Sequence, residues 1–194
     1  MGGIKFADAN RDGKFSSADR TTLGSPLPKF TYGFNLNFFY KNFELSSFFY
    51  GSQGNKVYNQ TKYFTDFQAF PSAASTRLLD AWSPTNTGSL IPSPSSLASP
   101  LEYQSSSYYI EDGSYFRLKN LQLGYTVNNT FLGEKIGFSK LRVYGSVTNL
   151  FTLTSYSGLD PEISQANQTF SLPGIDFGVY PNPRQFLLGI NASF

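Results

Sequence analysis

Apolar and polar positions alternate with a period of two in several separated stretches of this chain, and the longest clean run is Phe30 to Tyr40. There Phe30, Tyr32, Phe34, Leu36, Phe38 and Tyr40 share one face, opposite Thr31, Gly33, Asn35, Asn37 and Phe39. Successive strand residues point to opposite sides, so the run predicts a strand with one apolar and one largely polar face. Lys41-Asn42 then makes a two-residue turn that sets Phe43 across from Tyr40. Phe43, Leu45, Ser47 and Phe49 continue the apolar side, while Glu44, Ser46, Phe48 and Tyr50 lie opposite, so residues 30–50 read as a hairpin. Leu141 to Leu153 alternates in the same way. So does the terminal stretch Arg184 to Phe194, where Phe186, Leu188, Ile190, Ala192 and Phe194 oppose Gln185, Gly189, Asn191 and Ser193, with Leu187 the one exception.

Ser114 to Val127 is harder to place. Leu121, Leu123, Tyr125 and Val127 form an apolar face that continues upward through Lys119 and Arg117. A basic side chain in the middle of a lipid-facing band costs roughly 2–4 kcal/mol, falling towards zero at the interface. Two solutions follow: the pair lies at headgroup level, or a bulge near Asn120 turns it to the polar side.

These strands fit a barrel that faces lipid. Phe30–Tyr40 has the ~9–11 residues of a tilted membrane strand, and a chain that ends on an outward aromatic suits a solvent other than water. Between the strands the alternation disappears. Residues 51–113 and 154–183 read as long loops rich in Ser, Pro, Asn and Thr, with short helical turns expected at Tyr58 to Phe70 and Arg77 to Trp82. Long loops of this kind lie outside the cell in outer-membrane barrels, and short turns lie in the periplasm.

Composition narrows the chemistry. The net charge is only +2 and there is no basic run to draw the chain onto phosphates, so nothing points to a nucleic-acid partner and none is expected. With no Cys and no His, disulfides, thiolate sites, zinc centres and Ser-His-Asp triads are excluded within the chain. Aromatics are the excess, with 20 Phe and 13 Tyr against one Trp, as interfacial girdles require. No apolar run reaches the roughly 18 residues of a membrane helix. The start lacks a signal peptide, so the sequence is expected to begin partway through a longer protein. Asp160 and Glu162 invite a paired-carboxylate reading, but the intervening Pro161 argues for a turn and no partner acid or base accompanies them, so no enzyme is expected. Asn59, Asn128, Asn167 and Asn191 match the glycosylation triplet by chance, the last inside a strand.

The opening segment carries a ligand motif. Asp8, Asn10 and Asp12 stand at positions 1, 3 and 5 of a twelve-residue calcium loop, with Gly13 at the sharp turn, the Lys14 carbonyl at position 7, Ser16 at position 9 and Asp19 at position 12. Asp in place of the usual Glu at the last position, and the absence of flanking helix patterns, point to a structural Ca2+ site rather than a sensor.

The order of motifs resembles the C-terminal end of the SusC/RagA family of TonB-dependent outer-membrane transporters of Bacteroidetes. The resemblance spans the chain. It rests on Asp8-Ala-Asn-Arg-Asp-Gly-Lys-Phe, Pro28-Lys-Phe-Thr-Tyr-Gly-Phe-Asn, Asn55-Lys-Val-Tyr-Asn and Trp82-Ser-Pro-Thr-Asn-Thr. Ile110-Glu-Asp-Gly-Ser-Tyr-Phe-Arg-Leu-Lys-Asn-Leu-Gln-Leu-Gly-Tyr, Lys140-Leu-Arg-Val-Tyr, Asn149-Leu-Phe-Thr-Leu-Thr, Gly158-Leu-Asp-Pro-Glu and the terminal Phe complete it. It implies an all-β, transmembrane antiparallel barrel of 22 strands with a plugged lumen, of which this chain supplies the C-terminal five. It also implies a SusD-like surface lipoprotein as lid, TonB acting through the missing N-terminal part, and the barrel assembly machinery reading Phe194 as part of an assembly signal.

Counting back from a descending last strand puts residues 1–29, with the calcium motif, outside the cell, together with the loops 51–113 and 154–183. The hairpin 30–50, the two strands of 114–153 and the terminal strand 184–194 cross the bilayer. The expected function is a part of an outer-membrane importer of glycan or peptide fragments. The alternative is an extracellular β-sandwich carbohydrate-binding module with a structural calcium, whose apolar faces would meet in a core.

Overall fold

A computed structural model describes residues 2–67, 74–94, 103–127, 139–163 and 173–193. In chain order its strands are β1 (Phe30–Tyr40), β2 (Phe43–Gln53), β3 (Lys56–Asn59), β4 (Ile110–Asp112), β5 (Tyr115–Val127), β6 (Lys140–Thr154), β7 (Ile175–Asp176) and β8 (Gln185–Ser193). One α-helical turn, α1 (Thr61–Thr65), follows β3, and 3-10 turns occupy Ser17–Asp19, Thr76–Asp80 and Ser107–Tyr109. Phe194 lies outside the described residues, as do most of the connection between β5 and β6 and residues 68–70 of the first expected helical turn.

The long strands form one antiparallel sheet in the order β1-β2-β5-β6-β8. Register across it carries the apolar face from strand to strand. Phe38 faces Leu45, Leu45 faces Leu123, Leu123 faces Gly145 and Gly145 faces Leu188. The adjacent row runs Tyr40, Phe43, Tyr125, Val143, Ile190. Because directly opposed residues of an antiparallel pair share a face, these rows make one continuous apolar surface. No described residue covers it: Phe38 is 60% exposed, Phe186 74% and Leu188 89%. The two faces of a sandwich core would bury such residues, so the sheet is a wall with a bare side. Among the described residues β1 and β8 are the edges of this sheet, and it does not close on itself.

Aromatic rings collect at both ends of the apolar face. Near the turn Lys41-Asn42, Phe43 lies 4.7 Å from Tyr125 between ring centroids. At the other end Phe49 stacks on Phe116 at 5.5 Å and on Phe34 at 4.9 Å, with Tyr32 beside Phe116 at 6.3 Å.

The bulge solution for Arg117 and Lys119 is the one the chain adopts. Pairing of β2 with β5 jumps from Phe48–Asn120 to Phe49–Leu118, leaving Lys119 as the extra residue. Pairing of β5 with β6 shifts at the same level, where Asn149 takes a positive φ of 51°. Above the bulge Phe116 and Leu118 replace Arg117 on the apolar face, and Arg117 joins Tyr50 on the polar one.

The expectation that residues 51–113 and 154–183 are loops without strands needs correction. β2 runs on to Gln53, and β3, β4 and β7 build a second sheet in the order β4-β3-β7, in which β3 pairs with β7 in parallel. Strands of two to four residues cannot show an alternation, and their partners come from distant parts of the chain. The short helical turns are present at Thr61–Thr65 and Thr76–Asp80. Together these pieces enclose a small apolar core. Val57, Phe67 and Tyr109 are buried there, with Tyr58 stacked on Tyr109 at 5.3 Å and Phe67 edge-on to Tyr108 at 5.5 Å.

Candidate functional site: the polar face and the loop end

Opposite the apolar face the same strands present polar rows. Asn37, Ser46, Gln122, Ser146 and Leu187 form one, and Asn35, Phe48, Asn120, Thr148 and Gln185 the next towards the loops. Leu187 is thus an apolar residue on the polar face, as its break in the alternation indicates. Below these rows, Arg142 reaches across Gly124 on β5 to place Nη2 2.9 Å from Glu44 Oε2. The missing side chain at Gly124 makes the crossing possible, since a Cβ there would sit 2.9 Å from the guanidinium.

Above the rows the bulge delivers Arg117 and Lys119 to a loop carrying two carboxylates. Arg117 is 2% exposed. Its Nη2 donates to Asp160 Oδ1 at 2.5 Å, its Nη1 to Glu162 Oε2 at 2.8 Å and its Nε to Thr152 Oγ1 at 2.8 Å. Lys119 Nζ donates to Glu162 Oε1 at 2.7 Å. Asn182 closes the cluster, its backbone amide donating to Asp160 Oδ2 at 2.9 Å. Burial alone would raise the Asp160 carboxyl, but the Arg117 hydrogen bond and the amides of Glu162 and Asn182 outweigh it and hold it below the ordinary value. The pair Asp160 and Glu162 therefore binds two cations of the wall, and Gly158-Leu-Asp-Pro-Glu clamps the loop to β5.

A second polar network ties the loops to one another. Lys62 Nζ lies 2.7 Å from Glu111 Oε1 and donates to the Tyr108 carbonyl at 2.9 Å. Glu111 also accepts from Asn59 Nδ2 at 3.0 Å, and from the amide and hydroxyl of Ser157, each at 2.7 Å. Burial would raise the Glu111 carboxyl; the bonds from Lys62 and Ser157 lower it further than burial raises it. Tyr108 Oη donates to buried Asp66, and Tyr156 Oη to buried Asp176. Burial first, then these carboxylates, push both phenols upward.

The six residues of the calcium motif are brought into one exposed loop. Asp8 Oδ2 accepts from the Gly13 amide at 2.7 Å, with Gly13 at φ 77°, a conformation that favours glycine. Asn10 Oδ1 accepts from the Asp12 amide at 2.9 Å, and Asp12 Oδ1 from the Lys14 amide at 2.8 Å. Asp19 Oδ1 accepts from Ala9 at 2.9 Å and its Oδ2 from Ser16 at 2.8 Å, closing the loop end to end. The hydrogen bond from Ser16 is the leading reason its carboxyl lies below the ordinary value. The donor set is all oxygen and suits a hard cation, yet among the described residues no group of three carboxylates converges to hold one. Sequence reasoning named this loop but missed Lys62, Asp66 and Glu111, whose roles depend on contacts between distant segments.

No family model matches the chain. It is 42% identical over its full length to TonB-dependent receptor P3 of Formosa agariphila, and covers 19% of that protein. It is 30% identical, over 97% of its length, to TonB-dependent receptor SusC of Bacteroides thetaiotaomicron, covering 17% of it. A solved structure of the RagAB peptide transporter superposes with a TM-score of 0.76 at 30% identity, over 93% of this chain and 19% of that one. The chain thus spans about a fifth of the length of the proteins it matches.

Proposed function

We propose, from the premise that this chain belongs to the SusC/RagA family of TonB-dependent receptors, that its sheet is the C-terminal part of an outer-membrane barrel wall. The apolar face meets lipid, the polar face lines the lumen, and the loop end faces outside. The observation that carries this reading is the uncovered apolar face with aromatic rings at both limits, which water would not stabilise and a bilayer would. The alternative sandwich module would need a second sheet against that face, and none lies there among the described residues.

In the whole receptor this wall serves uptake of a nutrient, as the names of the relatives suggest: a peptide for RagAB. A SusD-like lipoprotein covers the loop end, TonB acts on the part of the receptor outside this chain, and no catalysis is involved. Asp8, Asn10, Asp12, Ser16, Asp19 and the Lys14 carbonyl bind Ca2+ and stiffen the first outer loop. The Gly13 turn and the closure of Asp19 onto Ala9 and Ser16 support that role. Phe194 belongs to the signal read during barrel assembly.

The test uses the full-length receptor in outer membranes, with single cysteines at Leu36, Leu123 and Leu188. Quenching by lipid-borne nitroxide and protection from water-soluble thiol reagents are expected at all three. Labelling from water at these positions, or a folded receptor that needs no detergent, would sink the reading. Removal of Phe194 in the same cells lowers the amount of assembled receptor; unchanged assembly removes that role.

A further inference from the structure

The small sheet β4-β3-β7, with α1 and the turn Thr76–Asp80, is joined to the wall in two unlike ways. On one side three short crossings lie together: residues 26–29 into β1, 54–55 between β2 and β3, and 113–114 between β4 and β5. Gly54 N donates to Ser114 Oγ at 2.9 Å, Gly113 N to the Asn55 carbonyl at 3.0 Å and Lys29 N to the Gln53 carbonyl at 2.8 Å. Gly54 sits at φ 83°, and a Cβ on Gly113 would collide with Asn55, so both places need glycine.

On the other side the chain between β6 and β8 crosses twice, and its hold on the wall is ionic. Just past β6, Tyr156 Oη donates to Asp176 of β7, and Ser157 bonds Glu111 of β4, both in the small sheet. Three residues further on the chain is back at the wall, where Asp160 meets Arg117 and Glu162 meets Arg117 and Lys119. Asn182, on the return crossing, bonds the same two carboxylates. The Glu162 amide donates to Asp160 Oδ1 at 2.9 Å, and buried Pro161 fixes the backbone between them, so both carboxylates are aimed at one guanidinium. Three residues of extended chain reach only roughly 10–11 Å. The strap 156–162 therefore has little slack, and the small sheet cannot leave the wall while both sets of anchors hold.

A catch made of charges can let go as a whole. Freed together into water, Arg117, Lys119, Asp160 and Glu162 regain the hydration that pairing removed, so releasing all four costs far less than stranding one of them. We propose that the small sheet is a flap, hinged at Gly54 and Gly113 and shut by the strap 156–162, with Arg117 as the catch on the wall. Opening breaks the ion pairs at the bulge and keeps the flap whole, because the Lys62–Glu111 pair and the stack of Tyr58 on Tyr109 lie within it. Gly158-Leu-Asp-Pro-Glu is then a latch, whichever face of the wall meets lipid.

The test uses the full-length receptor, freed of any other cysteine, with spin labels at Thr76→Cys on the flap and Leu123→Cys on the wall. Thr76 reports the flap because its turn is tied to α1, by the Ser75 amide on the Thr65 carbonyl at 3.1 Å and by Arg77 on Asp66 at 3.3 Å. Pulsed dipolar spectroscopy is expected to give one distance in the wild-type background and a second, longer one in Arg117→Met, with the opening constant raised about a hundredfold. A pair within the flap, Thr76→Cys with Lys56→Cys, is expected to keep its distance in both. An unchanged wall-to-flap distance in Arg117→Met overturns the proposal. A distance within the flap that broadens alongside the other shows the unit melting rather than swinging, and overturns it too. If Arg117→Met does not assemble, Asp160→Asn with Glu162→Gln weakens the same catch from the strap and carries the same expectations.

Discussion

Lys62 Nζ and Glu111 Oε1 lie 2.7 Å apart with side chains only 8% and 12% exposed, one at the start of α1 and the other in β4. The pair joins the two ends of the long segment between β3 and β5, and through Ser157 it also holds the segment after β6. A buried ion pair of this kind contributes little relative to apolar residues, but breaking it from one side leaves a charge without compensation, at a cost of about 3–5 kcal/mol.

Lys62→Met should therefore release the small sheet β4-β3-β7 while the barrel strands stay formed. Amide exchange of Val57 and Tyr58 in the assembled receptor measures the effect and is expected to rise by two orders of magnitude or more, as ~3 kcal/mol requires. Lys62→Met with Glu111→Leu should recover much of the protection. Unchanged exchange in the single variant would show that the pair does not hold the unit.

The pH dependence follows from the same carboxylates. Glu111 and Asp160 both lie below their ordinary values in the folded chain. Each binds fewer protons folded than unfolded, so its contribution is complete above the unfolded value, about 4.3 for Glu and 3.9 for Asp, and is lost as pH falls through the lower folded value. The loop unit should stay closed through mildly acid conditions and open only below about pH 4. Limited proteolysis of the loops from pH 7 downward checks this with an acid-active protease. Opening already between pH 7 and 5 contradicts it, and Glu111→Gln should weaken the acid step.

The five long strands were legible because two faces of unlike polarity impose a period of two over nine to fifteen residues. Phe30–Tyr40 shows this without interruption, and its bounds in the structure are those of the alternation. At Arg117 the pattern failed for a physical reason. A bulge inverts the faces above it while adding only one residue, and Lys119 bears no mark of being that residue. The small sheet was illegible because its strands are two to four residues long, and because Asn59, Lys62, Asp66, Glu111 and Asp176, which tie it to its surroundings, look like loop until their partners are known. Asp160 and Glu162 were visible as a pair, but not their engagement with Arg117.

Arg117→Met tests that engagement. It removes three hydrogen bonds and leaves Asp160 buried without its main cation, so the loop around residues 158–163 should detach at a cost of about 3–5 kcal/mol. Arg117→Lys keeps the charge but not the planar fork that spans Asp160, Glu162 and Thr152, and should restore only part of the loss. Protease cleavage within residues 158–163 reports both variants. Equal cleavage of wild type and Arg117→Met would rule out the clamp.

Ca2+ binding by the first loop is checked by calorimetry on the full receptor stripped of metal. Asp12→Ala removes the oxygen at position 5 and the cap on the Lys14 amide together, so Ca2+ binding should be lost while the heat-modified mobility of the barrel is kept. Asp19→Glu supplies the longer carboxylate usual at position 12 and should tighten binding. Unchanged affinity in Asp12→Ala would remove the site.

Gly189 and Tyr144 face each other across β6 and β8, and the tyrosine ring lies over the glycine, so that a Cβ at residue 189 would sit 2.4 Å from Tyr144 Cζ. The ring covers backbone that glycine leaves bare, and it also carries Arg142 at 5.1 Å from its centroid, which aims the guanidinium at Glu44. Gly189→Ala should swing the ring away and destabilise the wall by about 1–3 kcal/mol. Tyr144→Ala should cost a similar amount, and the double variant little more than either single one, because both remove the same contact. Thermal unfolding of the assembled barrel, read by loss of heat-modifiable mobility, gives all three values. Additive losses would show that ring and glycine act independently, and that Arg142 is held in place by Glu44 alone.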